Sequence, residues 1–203
     1  KRLKNKMERT KRAWQRMLSG RRLDLLNPSP LDIEIEDIAH GLSFLSRWNG
    51  QTRGNSGFSV AEHSLLVEEI FSNLNPGIET KWRMAALLHD AAEYVIGDLI
   101  SPVKSSFGNE YAVLEERLLN AIYLRYSVPC SIPDFIRKKI KLADKISARA
   151  EAVQIAGFSE SESLNLFGNS KLKEFENIII SPKPPLEAKA LFLNRHAMIL
   201  DKM

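Results

Sequence analysis

Apolar residues recur along this chain at three- and four-residue intervals, and polar ones fill the gaps. Ile38, Leu42 and Leu45 lie at i, i+4 and i+7, which predicts a helix from Asp37 to about Arg47. Ser59-Val-Ala-Glu62 has the form of a capping box, and the helix it opens carries His63, then Val67, Ile70 and Phe71. Asn75-Pro76-Gly77 breaks that helix. Thr80 can cap the next, whose apolar run Met84, Ala85, Leu87, Leu88 reaches His89-Asp90 and is expected to stop near Gly97. Pro102 reads as the start of a loop. Tyr111, Leu114, Leu118 and Ile122 set another face, ended by Val128-Pro129. Ser131-Ile-Pro-Asp134 opens a helix bearing Ile136, Ile140, Ala143, Ile146 and Ala150, which stops by Gly157. Pro184-Pro185 starts the last, with Leu186, Ala190, Leu193, Ala197 and Leu200.

Other stretches say less. Leu31 to Glu36 alternates with period two but is too short to require a sheet. Residues 49–57 form a Gly/Asn-rich loop. Between 158 and 182, Leu172, Phe175 and Ile178 to Ile180 suggest one short buried segment. Trp14, Met17 and Leu18 give the N-terminal stretch a small apolar face that would dock as a helix, ended by Pro28-Ser-Pro30. Strand signals are nearly absent. The pattern therefore predicts an all-α domain, a compact bundle of six to eight helices over residues 31–203, preceded by an arm over 1–30.

Composition sharpens this picture. With 203 residues, 44% hydrophobic, one domain with a sizeable core is expected. A single cysteine, Cys130, excludes an internal disulfide and favours a reducing compartment, hence a cytoplasmic location. No apolar run approaches the roughly 20 residues of a membrane span, and the charged start does not read as a secretory signal. The chain opens on Lys1 rather than Met, so it is expected to begin inside a longer one. The net charge of +4 hides an asymmetry: residues 1–22 hold ten Lys or Arg against Glu8 alone, which leaves −5 for the rest. A basic arm can touch nucleic acid. A solvated lead-in is the simpler reading, and nucleic-acid contact by the arm is not expected.

The chemistry gathers at His89-Asp90-Ala-Ala-Glu93-Tyr-Val-Ile-Gly97-Asp98. An apolar helix ending in such charge needs partners, and a divalent metal is one that serves several groups at once. His63 and Asp144 offer further ligands. Asp144 lies at i+4 from Ile140, on or beside a buried face, among the small residues Ala143, Ser147 and Ala148. Two imidazoles and two carboxylates suit Mn, Fe, Co, Ni, Zn or Mg, and the lack of thiolates argues against a structural zinc site. On one helix, Glu93 at i+4 from His89 would face the same site. Arg47 offers a planar cation at a helix end, able to grip phosphate through two bonds.

This order, His63, then His89-Asp90, then Asp144, resembles the HD-domain metal-dependent phosphohydrolases. Ser46-Arg47-Trp48, Val60-Ala-Glu-His63-Ser64, and His89-Asp-x-x-Glu93-x-x-x-Gly97-Asp98 with Pro102-Val103-Lys104 bring it closest to the bacterial 5'-deoxynucleotidase-like group. The resemblance covers about residues 37–151. It implies that His63, His89, Asp90 and Asp144 hold one divalent metal and that Glu93 transfers a proton. It further implies that Asp98 positions water or substrate, Arg47 holds the phosphate and Trp48 packs against the sugar. The implied substrate is a small phosphate ester, best a deoxynucleoside 5'-monophosphate. Dimers are common in the resembled group, so a homodimer is one option.

Rival readings are a phosphodiesterase, a hydrolase of nucleoside triphosphates or alarmones, and a non-catalytic metal-bearing regulatory or nucleic-acid-binding protein. Glu93 and Asp98 could also simply cap or pair with Lys104, and Trp48 could be plain core. His40 reads as a structural hydrogen-bonding group and His196 as structural or exposed. Glu151, at i+7 from Asp144, reads most simply as half of an exposed ion pair. The 49–57 loop could close over the site or enlarge it.

Overall fold

The computed structural model describes residues 12–106, 109–168 and 178–203. Leu172 and Phe175 lie outside the described residues, as does the arm before Arg12. Helices dominate the described chain, as expected, with a single two-stranded sheet among the described residues. Helices α1 (Ile35–Phe44), α2 (Val60–Leu74), α3 (Thr80–Leu87), α4 (Glu93–Ile96) and α5 (Ser101–Ser106) come first. They are followed by α6 (Asn109–Arg125), α7 (Asp134–Gln154), α8 (Glu160–Phe167) and α9 (Pro185–Leu200). Helix α2 is central: it packs against α1, α3, α7 and α9, and α9 closes over α1. One apolar core runs through them, with Phe71, Phe192, Ile38, Leu42, Met84 and Leu88 fully buried.

The Ser59 cap acts where the sequence placed it, whereas Thr80 is the first residue of α3, whose N-cap is Glu79 without a side-chain cap bond. Ser59 accepts the Glu62 N–H and Glu62 reaches back to the Ser59 N–H, a reciprocal box that fixes the start of α2 one turn before His63. The same S-x-x-E form at Ser159–Glu162 caps α8. That helix occupies part of a stretch where only one short buried segment, with Leu172, Phe175 and Ile178 to Ile180, was expected. Ile179 is instead exposed, and the backbone there is non-helical and tied to the Gln154 side chain.

Four other expectations change. The segment around Trp14 is not a helix. Strands β1 (Trp14–Arg16) and β2 (Arg22–Asp24) form an antiparallel hairpin. It turns Leu23 and Met17 into the core and leaves Arg12, Trp14 and Arg22 stacked on its outer face. The Leu31–Glu36 stretch, too short to require a sheet, makes none: a single 3-10 turn, Pro30–Asp32, leads into α1. Helix α1 ends at Phe44, not near Arg47. Leu45 and Ser46 are extended, Ser46 pairs with Ser59, and Arg47 starts a separate 3-10 turn. Pro102 sits in the first turn of α5, a position where its missing N–H costs nothing.

The fourth change bears directly on the site. The helix expected from Thr80 to Gly97 is broken. After Leu87 the backbone winds more tightly, with i→i−3 hydrogen bonds from Ala91 to Leu88, Glu93 to Asp90 and Tyr94 to Ala91. His89 and Asp90 therefore lie in the turn between α3 and α4, not inside one long helix. Glu93 is aligned with Asp90 by the three-residue winding rather than with His89 by an α-helical i+4. Two glycines permit this. A Cβ on Gly41 of α1 would come within 2.8 Å of the Tyr94 Cβ, so its absence lets α4 lie close on α1. Gly97 has φ +82°, a left-handed conformation that ends α4 and redirects the chain into Asp98.

Candidate active site

Four segments converge beside the N-terminal end of α2: the Arg47 turn, the first turn of α2, the His89–Asp98 stretch and the middle of α7. His63 is fully buried, and both its ring nitrogens face carboxylates. Nδ1 lies 2.6 Å from Glu151 Oε1 and Nε2 faces carboxylates, Asp144 Oδ1 at 3.4 Å and Asp90 Oδ2 at 3.5 Å. His89 Nδ1 is 2.9 Å from the Ala86 carbonyl, and its Nε2 is 3.2 Å from the same Asp90 oxygen. A carbonyl only accepts, so Nδ1 of His89 carries a hydrogen and Nε2 is the ring atom turned towards Asp90.

Both Nε2 atoms are buried and make no hydrogen bond, and the same holds for Glu93 Oε2. Buried polar atoms are almost always paired, so three orphans at one place call for a missing partner. His63, His89 and Asp90 offer one donor atom each within 4.8 Å of one another, and Asp144 borders them through His63. This N/O set, with each imidazole anchored through Nδ1, fits a divalent cation.

The electrostatics agree. Burial would raise the Asp144 carboxyl, yet the His63 ring beside it holds it well below the ordinary range. Burial acts the same way on Asp90 and is likewise overcome, here by His89 and His63. Burial and Arg47 both disfavour charge on His63, but Glu151, Asp144 and Asp90 together push its pKa well above the ordinary imidazole value. The site thus draws positive charge to Nε2, by a proton or by a cation in its place. Asp144 Oδ2 is also held by Lys141 at 2.6 Å.

Glu93 is nearly fully buried, and burial with the nearby Asp90 and Asp98 charges pushes its pKa up to about 9. Its Oε1 receives Lys104 Nζ at 3.1 Å, and Lys104 also reaches Glu115. The alternative pairing of Glu93 with Lys104 is therefore present, but it uses only one of the two oxygens. Asp98 is raised by burial against the opposing Arg47, whose Nη1 lies 3.7 Å away.

Arg47 donates through Nε to Glu151 Oε2 at 2.8 Å, and Trp48 Nε1 donates to the same oxygen at 2.9 Å. Burial disfavours the Arg47 charge, but Glu151, Asp98 and Asp90 outweigh it, so the guanidinium stays charged. Trp48 has φ +57°, and its ring packs against Phe158, just before α8, and Phe167, the last residue of α8. The loop that follows is tied to the end of α7 by the Arg53 N–H on the Ile155 carbonyl, 2.8 Å. His40 stays out of this group and stacks on Phe44, while His196 is buried edge-on against Tyr126.

One member was misjudged. Glu151 is fully buried, not half of an exposed pair, and it contacts His63, Arg47, Trp48 and Ser147. Burial would raise its carboxyl, but Arg47 and His63 keep it ionised, well below its ordinary range. The available signal was its spacing: i+7 from Asp144 returns to the same helix face after two turns.

The model of the HD domain matches residues 60–125. An uncharacterized protein of Rhodobacter capsulatus is 58% identical over 193 residues, covering 95% of this chain and 98% of that one. The chain belongs to the HD-domain family. HD domains bind divalent metals and are in general metal-dependent hydrolases. The matched stretch of this HD domain contains His63, His89, Asp90, Glu93 and Asp98, whereas Arg47, Trp48, Asp144 and Glu151 lie outside it. Among the described residues, no helix is long and apolar enough to cross a membrane.

Proposed function

We propose that this HD domain is a phosphohydrolase that releases phosphate from a nucleotide, with deoxynucleoside 5'-monophosphates as preferred substrates. The observation that carries the reading is the pair of buried, unpartnered Nε2 atoms of His63 and His89 facing Asp90, with the unpartnered Glu93 oxygen beside them. His63, His89, Asp90 and Asp144 would hold one divalent cation. Such a cation polarises a phosphoryl oxygen and acidifies water.

The other roles belong to the chain's own groups. Arg47, anchored through Nε and with Nη1 towards Asp98, offers the phosphate the N–H groups left over. Asp98 keeps that guanidinium in place from the other side. Water attacks phosphorus and the P–O bond to the sugar breaks, while Glu93 gives the proton on Oε2 to the leaving sugar oxygen and regains one from the attacking water. Lys104 holds the other Glu93 oxygen and limits how far the carboxyl can turn. Trp48, braced by Phe158 and Phe167, walls the sugar side.

A phosphate-release screen over nucleotides with Mn, Co, Mg and Zn, repeated with Asp144→Ala, tests this reading. Metal-dependent release from deoxynucleoside monophosphates, lost in the variant, is expected. Equal release by the variant, or no release from any nucleotide, overturns it.

A further inference from the structure

Glu151 is a buried carboxylate with both oxygens engaged on different halves of the site. Oε1 takes the His63 Nδ1–H at 2.6 Å and the Ser147 hydroxyl at 2.8 Å. Oε2 takes the Arg47 Nε–H at 2.8 Å and the Trp48 Nε1–H at 2.9 Å. We infer that Glu151 is a positioning residue that locks the metal-binding and phosphate-binding halves together, so that His63, Arg47 and Trp48 are set by one side chain. The inference rests on the phosphohydrolase reading above for the role of Arg47.

The argument is one of valence and geometry. Holding the Nδ1 hydrogen of His63 leaves Nε2 to face Asp90 and Asp144, which sets both the tautomer and the tilt of the ring. Holding Arg47 through Nε leaves both Nη groups free of Glu151, one of them turned to Asp98. Holding Trp48 through its indole N–H steadies a residue whose backbone is left-handed, a conformation that a bulky side chain seldom adopts unaided. Three elements far apart in sequence, the 47–48 turn, α2 and α7, are thereby joined at one carboxylate. Because only an ionised carboxylate offers acceptors on both sides, an amide of the same shape fails. Its single oxygen serves one half, and its NH2 meets N–H donors on the other.

The test therefore uses Glu151→Gln in the full chain, with Mn2+ affinity by calorimetry on metal-free protein, KM and kcat for the best nucleotide, and tryptophan emission. We expect Mn2+ affinity to fall about 10- to 100-fold, the range typical of lost partners behind a metal ligand. KM should rise and emission should shift, with a Trp48→Phe background abolishing that shift. Should Glu151→Gln not fold, Ser147→Ala, which removes only the hydroxyl on Oε1, takes its place. A several-fold loss of Mn2+ affinity with a small change in KM is then expected.

A folded Glu151→Gln with wild-type Mn2+ affinity and KM, or a Ser147→Ala with wild-type Mn2+ affinity, overturns the inference. So does a loss of thermal stability alone. A wild type that binds Mn2+ but hydrolyses no nucleotide overturns the phosphohydrolase reading only, and the Mn2+ arm still decides on Glu151. A wild type that binds no Mn2+ overturns the inference itself.

Discussion

Helix α2 carries two buried charged clusters five residues apart, and they are built on opposite logic. At Glu68 the carboxylate is fully buried and saturated. Oε1 receives Arg83 and the Ser72 hydroxyl, and Oε2 pairs with Arg195 of α9. At His63 the ring is equally buried, but Nε2 has no hydrogen bond, nor do His89 Nε2 and Glu93 Oε2 nearby. Carboxylates and imidazoles crowd together there and still leave those three polar atoms unpartnered. The Glu68 cluster is complete as folded and ties α2 to α3 and α9. The His63 cluster is incomplete without something positive, and that is the mark of a site rather than of a strut.

Substitutions can break this contrast, and the largest effect is expected at Glu93. Glu93→Gln keeps the shape but removes the proton-transfer group. A drop in kcat of about 10²- to 10⁴-fold is expected. Its Mn2+ affinity should stay near wild type and its melting temperature should not fall, because a buried acid beside Asp90 and Asp98 costs stability. A marked loss of melting temperature with unchanged kcat would make Glu93 structural, like Glu68.

Glu68→Ala should do the reverse. Removing one partner leaves two arginines without their shared carboxylate. Because both guanidinium heads reach solvent, the loss should sit near the lower end of the usual range, about 3 kcal/mol by denaturant titration. Turnover per folded molecule should stay within about twofold, since additivity holds for groups that share no partner. A large drop in turnover at unchanged stability would couple the two clusters.

The smallest effect concerns His196, which lies in neither cluster. Burial lowers its pKa below the ordinary value of 6.5. Above pH 6.5 the ring is neutral in both folded and unfolded chains. As the pH falls below it, the unfolded chain takes up a proton that the folded chain resists, so stability is lost through that window. His196→Phe, which keeps a ring against Tyr126, should flatten the decline in melting temperature between pH 7 and pH 5 relative to wild type. Parallel curves for the two proteins would remove this residue from the acid response.

Much of the fold was legible because helical caps and helical spacing are local. The Ser59–Glu62 box and the Pro185 start sit where their residues demand. The hairpin was not legible, because Trp14, Met17 and Leu18 fit a helical spacing as well as a strand and turn. What decides is that the hairpin delivers Leu23 and Met17 to the core. The break after Leu87 was hidden for a similar reason. Leu88-His89-Asp90-Ala91-Ala92 tolerates either winding, and the close approach of α4 to α1 at Gly41 selects the tighter one.

The sequence by itself determined which groups were available and on which segments: two imidazoles, Asp90 and Asp144, a proton-transfer candidate at Glu93, and a cation at Arg47. Short-range rules suffice for that, since caps, spacing and residue chemistry act within a few turns. Only the tertiary structure decided which of those groups share a neighbour. Burial turned Glu151 from an apparent surface charge into the common partner of His63, Arg47 and Trp48, across a sequence separation of up to 104 residues. Local pattern carries no information about such pairings. The cost of desolvating a carboxylate is met only when the fold brings its donors together.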